Sequence, residues 1–153
     1  MSREGRRPDP FELEAFVALL RGEVNLNVHC YTLKDLERIL SVLHEFGIHP
    51  NAFRHALEAW QVPELLKHPE ENITIAKFAD HALFKAEAYG ANLRTPKILS
   101  DHGLKIALNS DHTGESNYAK FLLDQGSISH SFGPPADKAH SGTTSTSQYQ
   151  NLV

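Results

Sequence analysis

Cysteine is nearly absent from this chain: Cys30 stands alone among 153 residues. One thiol excludes an intrachain disulfide and any cysteine-rich zinc module, and it fits a reducing compartment. Excess charge of one sign is also missing. The formal charge is −4, with 15 basic and 19 acidic residues in mixed order, so no electrostatic case exists for nucleic acid or an anionic membrane as partner. No apolar run is long enough to span a bilayer, and the opening "MSREGRRPDP" lacks the apolar core of a signal peptide. A cytoplasmic protein is therefore expected. No G-x-G-x-x-G follows any apolar run, which leaves a dinucleotide fold without local support.

What the chain does have is histidine, ten in all, and enough apolar residues (41%) for one domain with a core. The elements alternate. "DPFELEAFVALLRG" predicts a helix, with Asp9 as cap, Pro10 in the first turn, and Phe16, Val17 and Leu20 as its apolar face. "EVNLNVH" then alternates Val24, Leu26 and Val28 as a strand does. Thr32 can cap a second helix with Asp35 at the reciprocal position, Leu36, Ile39, Leu40 and Leu43 on one face and Gly47 as stop. "IHPNAF" is a weaker strand, since Pro50 must sit at its start or beside an edge. "LEAWQVPELLK" reads as helical on both sides of Pro63.

"NITIAKF" is a third strand, and "RTPKILSDHG" a short helix with Thr95 as cap, Pro96 in its first turn and Gly103 as stop. "LKIALN" is a fourth strand, and a last helix is expected from Ser116 to about Ser131. Four strand–helix units over short connections predict an α/β protein with a parallel sheet and right-handed crossovers. The domain is expected over residues 9–133, between a disordered start (1–8) and a Ser/Thr/Gln-rich disordered tail (134–153).

In parallel α/β architectures, sites form where the carboxyl ends of the strands meet the following loops. His29 follows the first strand, His55 the second, Asp80 and His81 the third, Asp111 and His112 the fourth. Neutral imidazoles with a carboxylate bind a divalent transition metal, commonly zinc, which lowers the pKa of bound water toward about 7. An aspartate beside that water can carry its proton to a leaving nitrogen, and Asp111 is the candidate. His55 either polarises a substrate carbonyl or holds the metal. Each has a structural alternative: His55 and Asp111 can cap helices, and His81 and His112 can be surface residues. Glu58, one turn beyond His55, can orient it or favour a helix N-terminus. His81, His112 and Glu58 are the candidates for contact with substrate. His44, His49, His68, His102, His130 and His140 are assigned to the surface.

Taken together, "VHCYTLKDLERIL", "AFRHALEAW", "ITIAKFADHALFKAEAY" and "LSDHGLKIALNSDH" resemble the amidohydrolase family, in particular its imidazolonepropionase-like branch, from about Phe11 to Asp137. The resemblance implies a TIM (β/α)8 barrel with a metal centre that hydrolyses carbon–nitrogen bonds outside peptides, often in cyclic amides. By it the four strands correspond to the barrel's fifth to eighth. His29 and His55 then correspond to the strand-five and strand-six histidines, and Asp111 to the strand-eight aspartate. The set His29, His55 and Asp111 is thus the expected zinc centre. The family's His-x-His pair of strand one and its strand-four lysine have no counterpart here. The last residues, "HSGTTSTSQYQNLV", do not continue into the family's flanking β-domain. A truncated hydrolase acting on a small molecule is expected. The alternative is a non-catalytic half-barrel that binds metal, or assembles with itself or with an N-terminal half.

Overall fold

The structure, a computed structural model, describes residues 13–67, 73–77, 86–109, 122–141 and 143. Helix α1 (Glu14–Leu20) leads to strand β1 (Asn27–Cys30) and helix α2 (Leu33–Glu45). Strand β2 (Ala52–His55) is followed by a 3₁₀ turn (Ala59–Gln61) and the one-turn helix α3 (Pro63–Leu66), and then by strand β3 (Thr74–Lys77). After a second 3₁₀ segment (Ala86–Gly90) come α4 (Thr95–Asp101), β4 (Lys105–Leu108) and α5 (Leu122–Ser131). The four strands are parallel and lie in chain order, β1-β2-β3-β4. This is the expected α/β arrangement of (β/α) units, about half of a TIM barrel. No helix among the described residues is long and apolar enough to cross a membrane.

Register explains where the core sits. Val28, Phe53, Ile75 and Ile106 stand side by side across the sheet. They pack against Leu36 and Leu40 of α2, Leu66 of α3 and Leu99 of α4. Phe53, Leu36, Leu66, Ile75 and Leu99 are fully buried. Since alternate residues of a strand face opposite sides, His29, Arg54, Ala76 and Ala107 form a row directed away from that helix layer. The weak strand of the sequence turns out to be an interior one, paired on both sides, and Pro50 precedes it without interrupting a ladder.

Helix α2 begins as expected. The Thr32 hydroxyl accepts from Asp35 N–H (3.3 Å) while the Asp35 carboxylate accepts from Thr32 N–H (2.9 Å), a reciprocal cap. Gly47 (φ +65°) and Gly103 (φ +83°) end α2 and α4 in left-handed backbone.

Three local expectations change. Helix α1 starts at Glu14 with no side-chain cap, Asp9 and Pro10 lying outside the described residues, and its apolar side is not buried: Phe16 is 63% and Leu20 64% exposed. At α4, Thr95 is inside the helix with its hydroxyl on the Asn92 carbonyl, and Arg94 takes the cap position. Residues 136–141, expected as tail, are helical; Ala139 is buried and donates its N–H to Pro135 O (3.0 Å). Low hydrophobicity along a segment does not stop it from docking one or two small residues on a neighbour.

Candidate active site at the carboxyl ends of the strands

Cys30, His55, Lys77 and Leu108 are the last residues of the four strands, with Cys30 beside His55 and Lys77 beside Leu108. Alternation alone would direct His55 to the side opposite His29. The backbone departs from alternation here. His55 has φ +68° and Ala56 φ +40°, both left-handed, a conformation that residues with a Cβ adopt only at a cost. Ala56 N–H lies within bonding distance of both Cys30 O (2.8 Å) and Arg54 O (3.0 Å), so His55 sits at the centre of a three-residue turn anchored to β1. That turn brings His55 Nε2 to 2.9 Å from His29 Nδ1, one nitrogen donating to the other. Tyr31 stacks on His55: its ring is nearly parallel to that of His55 (7°) with centroids 4.9 Å apart. His55 is 2% exposed, whereas His29 is open to solvent, so the pair has one buried and one accessible member.

The two histidines are thus brought together, as the sequence led one to expect. Asp111, His81 and His112 lie outside the described residues, as do Asp80 and His68. Among the described residues no group of three His, Cys, Asp or Glu side chains converges as a metal site. Glu58 is occupied elsewhere. Its Oε2 accepts from Leu33 N–H (2.8 Å) at the start of α2, and its own N–H donates to Tyr31 O (3.2 Å). The carboxylate therefore favours a helix N-terminus, though that of α2 and not of the segment it belongs to. It also lies against Gly90, where a Cβ would overlap it. His44, His49, His130 and His140 are exposed and His102 half-buried, in keeping with surface roles. Cys30 is a buried thiol pushed up to about 12, first by burial and then by the nearby Asp35 charge.

Sequence reasoning missed Lys77. It is 2% exposed at the end of β3, and its Nζ donates to the Leu57 carbonyl at 3.4 Å. Burial pushes its ammonium down to about 7. The signal was present: in "NITIAKF" Lys77 continues the alternation of Ile73 and Ile75, which places it on the buried side. Asn109, the residue after β4, is also buried, and its side-chain amide has no hydrogen-bond partner among the described residues.

Parallel β/α units whose histidines meet at the carboxyl strand ends define a class, that of (β/α)-barrel proteins with their site on that face. No family model matches the chain. Over 107 residues it is 41% identical to the amidohydrolase tasK of Hapsidospora irregularis, a match covering 69% of this chain and 11% of that protein. A crystal structure of an amidohydrolase from Thermotoga maritima has the same fold over 89% of this chain and 34% of its own, with a TM-score of 0.72 and 21% identity. Sequence and fold together place the chain with the amidohydrolase family, as a partial match to its members.

Proposed function

We propose that His29 and His55 are two ligands of a divalent metal, zinc first, in a hydrolytic site for carbon–nitrogen bonds outside peptides, cyclic amides among them. The reading follows the imidazolonepropionase-like branch, with Asp111 as third ligand and proton carrier. The observation that carries it is the contact between His29 Nδ1 and His55 Nε2 across the carboxyl ends of β1 and β2. Imidazole nitrogens are the donor type that zinc takes, and these two, already facing each other, would hold it jointly.

When bound, such an ion lowers the pKa of its water and polarises a carbonyl. The chain's own residues do the rest. Tyr31 holds the plane of the His55 ring, and burial of His55 keeps water from that side. In this reading Asp111 takes the water proton and delivers it to the leaving nitrogen, and His81 and His112 contact substrate.

The test is zinc content by elemental analysis after dialysis, for the wild type and for the double variant His29→Ala, His55→Ala. Bound zinc is expected in the wild type and its loss in the variant; equal content in the two would refute the site. Where turnover of a cyclic amide is found, Asp111→Asn is expected to lower kcat on the order of a hundredfold while metal content falls less. Zinc binding without turnover on a panel of cyclic amides selects the non-catalytic half-barrel instead.

A further inference from the structure

We infer that Glu58 is a positioning residue for His55. Its carboxylate, set between the start of α2 and the 86–90 turn, holds the left-handed turn that brings His55 Nε2 against His29 Nδ1. Where it concerns zinc, the inference rests on the metal reading above; the meeting of the two rings does not depend on that reading.

The turn needs a hold from outside itself. His55 (φ +68°) and Ala56 (φ +40°) both carry a Cβ in left-handed backbone, a conformation that persists only where the surroundings over-determine it. On the upstream side, pairing of β2 with β1 fixes the chain as far as His55. In the middle, Ala56 N–H donates to Cys30 O at 2.8 Å. Downstream, the turn relaxes unless residues 57 and 58 are anchored. Lys77 Nζ reaches the Leu57 carbonyl from β3, but at 3.4 Å. Glu58 makes the two other ties, its N–H to Tyr31 O (3.2 Å) and its Oε2 from Leu33 N–H (2.8 Å). The carboxylate bond is the shortest of the three, and a bond to an ionised acceptor is roughly twice as strong as a neutral one.

The direction of that bond gives it its role. Tyr31 and Leu33 lie on the connection that follows His29, and Glu58 on the connection that follows His55. Glu58 therefore ties together the two connections whose histidines must meet. Tyr31 is engaged twice over, its carbonyl by Glu58 N–H and its ring by the face of His55. The carboxylate also has little room to move elsewhere. A Cβ at Gly90 would overlap its Oε1 and its Cγ, and Trp60 Nε1 donates to Gly90 O at 3.0 Å, which fixes the glycine against the 59–61 turn. A bare glycine at that place leaves the carboxylate the space it occupies.

Two readouts test this in the full chain: zinc affinity by chelator competition, and the imidazole nitrogen resonances of His29 and His55 in the metal-free protein at one pH. Glu58→Ala is expected to weaken zinc binding about tenfold and to shift His29 Nδ1 and His55 Nε2 away from their wild-type, hydrogen-bonded positions. Glu58→Gln keeps an oxygen that can accept from Leu33 N–H, and is expected to restore both readouts. Gly90→Ala leaves every polar group in place but displaces the carboxylate, so it is expected to behave as Glu58→Ala does, and it carries the comparison if Glu58→Ala does not fold. Thr32→Ala is the control for stability alone. It removes another acceptor from the first turn of α2, at Asp35 N–H, and is expected to leave both readouts at wild type. Far-ultraviolet circular dichroism confirms that each variant is folded under the conditions used. Unmoved imidazole resonances in folded Glu58→Ala or Gly90→Ala, or equal shifts in Thr32→Ala, would overturn the inference. A wild type that binds no zinc refutes the metal reading alone, and the imidazole resonances then decide this one.

Discussion

Replacing Lys77 by methionine is expected to stabilise this protein and to flatten its dependence on pH. Lys77 is buried with its Nζ on the Leu57 carbonyl, and methionine keeps nearly its length and apolar volume while removing the amine. Burial pushes Lys77 from its ordinary 10.5 down to about 7. At roughly 1.4 kcal/mol per unit, the penalty for holding this group in the fold is on the order of 4–5 kcal/mol when both states are protonated, below pH 7. Between pH 7 and 10.5 the unfolded chain binds the proton and the folded chain does not, so stability rises with pH across that window. From pH 7 to pH 9 the rise attributable to Lys77 is about 2 kcal/mol. Against it stands the loss of one long hydrogen bond to the Leu57 carbonyl, about 1 kcal/mol. Urea unfolding of both proteins at pH 6, 7, 8 and 9, at one protein concentration, reads the difference directly. The methionine variant is expected to be the more stable at pH 6 and 7, with the gap narrowing toward pH 9. Parallel pH profiles, or a variant less stable at pH 6, would refute the argument from burial.

Three further outcomes follow from the packing. Thr32→Ala removes the hydroxyl that accepts from Asp35 N–H and is expected to cost about 1 kcal/mol in thermal unfolding. The Thr32 backbone N–H holds the Asp35 carboxyl below its ordinary range, so this cap's contribution is present above that range and lost as pH falls through the lowered value. Phe53→Ala empties the centre of the sheet–helix layer, where the ring is fully buried, and is expected to cost about 3–5 kcal/mol by denaturant titration. Cys30, buried and pushed up to about 12, is expected to resist a thiol reagent at pH 8 until urea unfolds the chain; rapid labelling of the native protein would contradict its placement.

The sequence by itself determined what short-range chemistry decides. The Thr32–Asp35 cap, the glycine stops at Gly47 and Gly103, the order of strands and helices, and the meeting of His29 and His55 were all legible there, because each rests on residues a few positions apart or on the rule that parallel strands end together. The tertiary structure decided matters that depend on what lies across from a residue. Glu58 turned to the start of α2, because Leu33 N–H stood within its reach and no local pattern encodes that encounter. Helix α1 has the apolar face of a buried helix and yet is exposed, since periodicity states which side wants cover and not whether a neighbour supplies it. The left-handed turn at His55 came without a glycine to announce it. It is held by the Ala56 bond to Cys30 on the neighbouring strand, a contact 26 positions back along the chain that only folding brings within 2.8 Å.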